Sequence, residues 1–151
     1  MYAVSAMATL PIVTGEHSEV LRKKTEKIVN FDKNLKKLVA DLLETAAAAS
    51  GAGLAAPQVS VSLAVTVARL SGSFVPLVNP EVIWQSETVE TAEEGCLSLP
   101  GVWLMVPRPD EVIIKYSDEN GKEQERKLTG WDARITQHEI DHLNRKLIVD
   151  Y

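Results

Sequence analysis

Apolar residues recur at helical spacing in two parts of this chain. Between residues 31 and 46 they follow an i, i+3, i+4, i+7 spacing, which predicts an amphipathic helix of about four turns near the N-terminal end. Asp32 precedes it as a candidate N-cap, and Gly51 follows it as a candidate stop. Near the C-terminal end, apolar positions flank a run of His, Glu and Asp. They predict a second helix of about three turns, with an apolar side formed by Ala133, Ile135, Ile140 and Leu143.

Short runs of strand-like composition lie between these two helices. Residues 61–70, 75–78 and 81–84 predict strands, and Asn79-Pro80 is expected to separate the last two. Residues 111–116 and 123–128 flank turn-forming residues and are expected to pair as an antiparallel hairpin. Because the strands come in runs rather than alternating with helices, the fold class is predicted to be α+β, with mostly antiparallel sheets packed around the C-terminal helix.

Length and composition limit the function classes. The 151 residues are expected to form one domain, residues 1–151, and a net charge of −5 without a dense basic stripe argues against binding nucleic acid. No stretch approaches the ~20 apolar residues that cross a membrane. The apolar start, residues 1–13, has no positive charge before Arg22 and contains Pro11, so it is interpreted as an ordinary start rather than a signal peptide. A cytoplasmic location is expected.

The most informative motif is QHEIDH at residues 137–142. Residues four apart on a helix share a face, so His138 and His142 can reach one metal ion. Glu139 lies beside them, and it can reach a water on that ion without being a ligand. The alternative is a partly exposed helix in which two histidines happen to match the motif.

A catalytic metal site of this type needs a third protein ligand. The nine residues after His142 contain neither His nor Glu, and His17 lies in a polar segment that favours a surface position. Cys96 is the best remaining candidate, since the Gly and Pro residues around it indicate irregular backbone beside a strand. The alternative for Cys96 is a buried, inert thiol.

A third segment, GAGLAAPQ at residues 51–58, follows the first predicted helix. Its small residues let a ligand approach the backbone closely, and the Gln58 amide can donate to a developing oxyanion. The alternative is a helix C-cap followed by a turn.

Taken in order, GAGLAAPQ, EGCLSLP at residues 94–100 and QHEIDH resemble the three signature motifs of the peptide deformylases. The resemblance implies a hydrolase that removes the formyl group from N-terminal formyl-methionine and releases formate. It also implies roles for particular residues: Cys96, His138 and His142 as metal ligands, Glu139 as general base and acid, Gln58 and the Leu97 backbone N–H as oxyanion donors, Gly53 as a backbone contact to substrate, and Glu94 paired with Arg108.

The resemblance also implies a cofactor and partners. The cofactor is one divalent ion, Fe(II) in the cell, with Zn(II), Ni(II) or Co(II) also suited to this ligand set. The partners are N-formyl-methionyl nascent peptides and the ribosome, although the C-terminal docking helix of many bacterial members does not follow Tyr151 here, and Arg145 stands where many members have Gly. Ala52, Leu97 and Ile135 are expected around the methionine side chain, and Trp103 and Trp131 receive no role.

Two other functions remain open at the level of sequence. The first is a zinc endopeptidase built on His138, Glu139 and His142, which would need a ligand after His142. The second is a non-catalytic homologue that binds peptide N-termini, although such a protein has no need for Glu139 as a proton carrier.

Overall fold

A computed structural model of the chain describes residues 8–151, so residues 1–7 of the apolar start lie outside the described residues. Both sheets within that range are antiparallel, and two α-helices pack with them. The helices are α1 Lys33–Ala48 and α2 Gly130–Leu143. The strands are β1 Gly53–Ala55, β2 Val65–Leu70, β3 Ser73–Gln85, β4 Val89–Cys96, β5 Leu99–Pro109, β6 Glu111–Ser117 and β7 Glu123–Thr129.

Helix α1 begins where a polar side chain satisfies its free backbone donors. The Asp32 carboxylate accepts a hydrogen bond from the backbone N–H of Leu35 at 3.1 Å. Beyond the other end, the Gly51 N–H donates to the Ala46 carbonyl. The apolar stripe of the helix is buried against β1 and β2, and it consists of Leu35, Val39, Leu42 and Ala46.

Five strands form one sheet in the order β1-β2-β3-β6-β7. The predicted pairing of residues 111–116 with 123–128 is confirmed, since β6 and β7 form an antiparallel ladder from Glu111↔Thr129 to Ser117↔Glu123. The predicted break at Asn79-Pro80 is wrong, because β3 runs continuously through it. Asn79 has φ 51°, and the register with β6 shifts there. The ladder with β2 ends at Val78, so Pro80 removes no donor from it.

The strand predicted at residues 61–70 begins only at Val65. Residues before it bond to another segment instead, because the Glu26 N–H donates to Ser62 O and the Ala64 N–H donates to Glu26 O. The alternative interpretation of residues 51–58 was a helix C-cap followed by a turn, but the segment has more regular secondary structure. It contains β1, which pairs with β2, and then a 3-10 helix, Ala56–Val59.

Strands β4 and β5 form a second, two-stranded sheet that the hydrophobic pattern did not predict. Strand β4 contains three glutamates and a glycine, and β5 contains three prolines and a glycine, so neither shows a clear alternation of apolar and polar residues. The pairing runs from Val89↔Pro109 to Cys96↔Leu99, with an irregularity after Gly95. The residues around Cys96 therefore form the closed end of a hairpin.

Helix α2 contacts strands of both sheets. Its residues Ala133 and Ile140 are buried in a cluster with Ile114 and Leu128 of the five-stranded sheet. Within residues 8–151, no helix combines the length and apolar composition needed to cross a bilayer. The C-terminal helix is thus the element at which the two sheets meet.

The N-cap of α1 provides a test of the fold. Replacing Asp32 by Ala leaves a helix donor unsatisfied, and the free energy of unfolding is expected to fall by about 1 kcal/mol. Urea unfolding followed by circular dichroism measures it. Asp32→Asn is the matched control and should stay near the unmodified value, because Asn caps about as well as Asp. Equal losses in both variants would contradict the capping role.

Candidate functional site

Three side chains from two separate elements converge beside α2. Cys96 ends strand β4, whereas His138 and His142 lie one turn apart on the helix. The Cys96 Sγ atom is 3.4 Å from Nε2 of His142, and the candidate ligand atoms of all three residues lie within 4.8 Å of one another. The 3.4 Å separation falls within the roughly 3.3 to 3.8 Å between two ligand atoms of a tetrahedral ion with bonds of about 2.0 to 2.3 Å. The donor set, one sulfur and two imidazoles, fits a divalent transition metal.

His138 is oriented by a buried carboxylate. Its Nδ1 lies 2.9 Å from Oε1 of Glu94, and because an ionised carboxylate only accepts, Nδ1 carries the proton. Nε2 of His138 is therefore the nitrogen left for a cation. Such a carboxylate behind a histidine ligand fixes its tautomer and ring orientation.

Glu94 itself is held by two arginines. Arg108 donates from Nε to Oε2 at 2.6 Å and from Nη2 to Oε1 at 2.8 Å, which is the ion pair implied by the motif resemblance. Arg134 donates to Oε2 at 2.6 Å, and the sequence analysis did not single out this residue. Burial acts to raise the pKa of Glu94, but hydrogen bonds from Arg108 and His138 outweigh it and lower the pKa to about 2. The carboxylate is therefore ionised at neutral pH.

Glu139 lies in a different environment. Its side chain is buried, and burial is the largest cause that raises its pKa to about 7, against the attraction of His138 and Arg108. Among residues 8–151, its Oε1 atom has no hydrogen-bond partner. A Cβ added to Gly53 would lie 2.7 Å from the other oxygen, Oε2, so residue 53 needs to be Gly. A carboxyl group with a pKa near neutrality and a free oxygen is suited to moving protons.

The two histidines also differ in pKa. Burial acts to lower the pKa of His138, but its interactions with Cys96 and Glu94 raise it to about 10. Burial is the main cause that lowers the pKa of His142 well below its usual value. Because ligands bind a metal only in their deprotonated form, binding a cation would displace protons from this cluster.

Gln58 is held in place beside the sulfur. It is buried in the 3-10 helix Ala56–Val59, where its Oε1 accepts the Ala55 N–H. Its Nε2 donates to Ser98 Oγ at 3.1 Å and lies 3.8 Å from Cys96 Sγ. The amide N–H groups of Gln58 are therefore close to the position that a cation bound to Cys96 would take. Leu97 directly follows the cysteine.

Cys96, His138, Glu139 and Gln58 line a cavity of about 410 Å³, a size that suits small ligands. Ala52, Leu97 and Ile135, which were expected around an apolar side chain, are all in its wall, as is Gly53. His17, expected at the surface, is exposed.

Trp103 and Trp131 received no role from the sequence, yet both line this cavity while remaining 65% and 58% exposed. A Cβ added to Gly95 would lie 2.5 Å from the Trp103 ring, so the indole covers that glycine. Trp103 was missed because its place depends on the β4–β5 hairpin, which pairs it with Gly95.

The chain is similar in sequence and in fold to proteins of one family. A family model described as polypeptide deformylase matches residues 9–151. The chain is 46% identical over 136 residues to peptide deformylase 2 of Prochlorococcus marinus, an alignment covering 87% of this chain and 68% of that protein. The crystal structure of the Thermotoga maritima peptide deformylase superposes with a TM-score of 0.91 at 38% identity, covering 95% and 97% of the two chains. An Acinetobacter baumannii peptide deformylase with Met-Ala-Ser bound has a TM-score of 0.89 at 31% identity, covering 95% and 98%.

The cysteine ligand can be tested without any substrate. Cys96→Ala removes one of three ligands, so the dissociation constant for Co(II) or Zn(II) should rise more than the roughly 10- to 100-fold that losing a ligand's supporting partner costs. Metal analysis after dialysis and competition with a chromogenic chelator measure the change. His17→Ala is the control, because His17 is exposed, and it should bind as the unmodified protein does. Full metal occupancy in Cys96→Ala would remove Cys96 from the ligand set.

Proposed function

Because the chain belongs to the polypeptide deformylase family, we propose that it hydrolyses the N-formyl group of N-terminal formyl-methionine on nascent polypeptides and releases formate. The observation that carries this function is the convergence of Cys96, His138 and His142 beside the buried Glu139 carboxyl, next to an apolar cavity that Cys96, His138 and Glu139 line. The bound Met-Ala-Ser of the Acinetobacter baumannii relative corresponds to the product of such a reaction on formyl-Met-Ala-Ser.

Cys96, His138 and His142 are the residues proposed to hold the metal ion. A divalent ion in such a site supplies a Lewis acid and lowers the pKa of water towards neutrality. The protein keeps the three ligand atoms within 4.8 Å of one another and orients the His138 ring through Glu94. An ion held by these three residues would keep a coordination position free for water or substrate.

Glu139 is proposed as the proton carrier. Its buried carboxyl takes the proton from the attacking water and returns it to the amine nitrogen as the amide bond breaks. The pKa of about 7, raised by burial, allows it both to accept and to donate a proton near neutral pH. Its Oε1 has no hydrogen-bond partner among the described residues, which leaves that atom available to water.

Gln58 and the backbone N–H of Leu97 are proposed to stabilise the oxyanion that forms on the formyl oxygen. The Gln58 amide is held by Ala55 and Ser98, so little reorganisation is needed when charge develops. The backbone of Gly53 is proposed to bind the substrate main chain. Absence of a side chain at residue 53 brings that backbone against the Glu139 carboxyl.

The cavity supports selectivity for methionine. Its walls include Ala52, Ile135 and the two indoles of Trp103 and Trp131. A flexible thioether side chain packs well against apolar and aromatic surfaces. The formyl group has only hydrogen on its far side, so close packing around the three candidate ligands would admit it and exclude a larger acyl group.

The proposed native metal is Fe(II), with Zn(II), Ni(II) and Co(II) as ions that the same ligands can bind. Affinity alone does not select among them, because a site with one thiolate and two imidazoles suits all four. The proposed location is the cytoplasm, where nascent chains leaving the ribosome supply the substrate.

Two observations favour this function over the alternatives. The cysteine that joins the two histidines comes from the β4–β5 hairpin, so the cluster does not need the downstream ligand that a zinc endopeptidase of the HExxH type uses. A protein that only bound peptide N-termini would gain nothing from burying Glu139 with an oxygen that has no partner among residues 8–151, since that arrangement costs free energy.

The activity is tested by measuring formate released from formyl-Met-Ala-Ser by anaerobically purified protein. Release is expected from the formyl peptide and not from acetyl-Met-Ala-Ser, because the proposed selectivity excludes the larger acyl group. Casein is assayed in parallel. Casein cleavage without formate release would favour the endopeptidase and contradict the proposal, and binding of peptide without either reaction would favour the non-catalytic homologue.

Glu139→Gln should lower kcat by roughly 10²- to 10⁴-fold, the usual contribution of a general acid and base, while the metal content stays unchanged. Glu93→Gln is the matched control, since Glu93 lines the same cavity but is exposed, and it should retain most of the activity. A parallel loss of metal in Glu139→Gln would show that Glu139 is a ligand instead.

Metal removal and replacement tests the choice of ion. Protein stripped by a chelator should be inactive, and anaerobic addition of Fe(II), Ni(II) or Zn(II) should restore formate release to different extents, with Fe(II) more active than Zn(II). Exposure to air should inactivate the Fe(II) form fastest, because Fe(II) reacts with oxygen beside an oxidisable thiolate, whereas Zn(II) has no redox chemistry. Equal rates for all three ions would contradict the assignment of Fe(II).

A further inference from the structure

One face of helix α2 is polar and packs on the β4–β5 hairpin. Gln137 donates to the Pro109 carbonyl at 2.9 Å, His138 donates to Glu94, and Asp141 accepts from Arg108 at 2.9 Å. Arg134 completes the spacing i, i+3, i+4, i+7 that defines one helix face. Polar side chains on this face therefore make the packing contacts that apolar side chains make in most helices.

Arg134 makes more hydrogen bonds to the hairpin than any other residue of this face. Its guanidinium donates to Glu94 Oε2 at 2.6 Å, to the Val106 carbonyl at 2.8 Å and to the Glu90 carbonyl at 2.7 Å. Its side chain is only 7% exposed. A single side chain of the helix therefore bonds to both strands of the hairpin and to the carboxylate that orients a histidine.

Arg108 cannot provide the same link. Arg108 lies on β5 and Glu94 on β4, so their ion pair stays within the hairpin. Only its bond to Asp141 crosses to α2. All three hydrogen bonds of Arg134, by contrast, cross from the helix to the hairpin.

This link matters because no strand ladder joins the hairpin to the five-stranded sheet within residues 8–151. The sulfur of Cys96 belongs to the hairpin, whereas both imidazoles belong to the helix. Contacts between the helix and the hairpin therefore contribute to the distance between them, together with the bonds that Gln58 and Gly15 donate to Ser98. Glu94 is two residues before Cys96, and Arg134 is one helical turn before His138.

We propose that Arg134 is a positioning residue for the metal site, which holds the Cys96 end of the hairpin at the correct distance from His138 and His142. This inference rests on the proposed metal-dependent function. Arg134 lines the cavity, but its hydrogen bonds go to Glu94, Val106 and Glu90 and to none of the three candidate ligands. It acts by fixing Glu94, which orients His138, and by clamping the backbones of both strands that carry the cysteine loop.

The test compares Arg134→Met and Arg134→Lys with the unmodified protein and with Arg126→Met, an arginine of β7 that is absent from the wall of the cavity. Arg134→Met should weaken Co(II) binding by about 10- to 100-fold, as loss of a ligand-orienting partner does. It should also shift or weaken the thiolate-to-cobalt charge-transfer band, since the sulfur is no longer held at bonding distance. Arg134→Lys keeps the charge but cannot make all three bonds, so its affinity should be intermediate.

Three outcomes would overturn the inference. One is an unchanged Co(II) dissociation constant and charge-transfer band in Arg134→Met, even with a lower free energy of unfolding, which would make Arg134 merely structural. Another is the same loss in Arg126→Met. If Arg134→Met does not fold, Arg134→Lys decides by the same two readouts, and unmodified binding there overturns the inference. Formate release is measured separately, so an inactive protein with a normal metal site and the predicted Arg134 effect would contradict the proposed function alone.

Discussion

The Glu94 carboxylate is a buried charge on which the arrangement of the site depends. An ionised group taken out of water costs several kcal/mol unless it is paired and hydrogen-bonded. Four hydrogen bonds reach its two oxygens, from Arg108, Arg134 and His138. Because these donors lie on β5 and on α2, satisfying this one charge requires the hairpin and the helix to be in one relative position. That position is the one in which sulfur and imidazoles meet.

Helix α2 packs against the five-stranded sheet and against the hairpin in two different ways. Its apolar side, which includes Ala133 and Ile140, is buried in the core of the five-stranded sheet, where burial stabilises the helix without directional preference. Its polar side bonds to the hairpin through groups with fixed geometry, such as Gln137 and Arg134. Hydrophobic packing therefore stabilises the helix against the sheet, and hydrogen bonds set the precise distance at which the hairpin lies.

The reactive groups contrast with this fully bonded support. Glu139 Oε1 and His142 Nδ1 are buried without hydrogen-bond partners among the described residues. Such groups cost stability, and they persist where function uses them. Glu94, whose carboxylate is hydrogen-bonded and has a low pKa, thus lies close to Glu139, whose carboxyl has a pKa near 7 and one oxygen without a partner among the described residues. Their environments separate a supporting role from a proposed proton-transfer role.

The sequence alone determined both helices, the β6–β7 hairpin and the His138, Glu139 and Cys96 candidates, because helical spacing, turn residues and ligand chemistry are local properties. Only the tertiary structure decided the β4–β5 hairpin, whose polar and proline-rich strands have no clear period. The positions of Arg134 and Trp103 depend on this hairpin, so the sequence pattern did not reveal their roles. No local sequence pattern identifies Arg134 as a buried residue, because its hydrogen-bond partners lie 28 to 44 residues away in the chain. The free-energy cost of burying its charge is offset only by these contacts, which exist after folding.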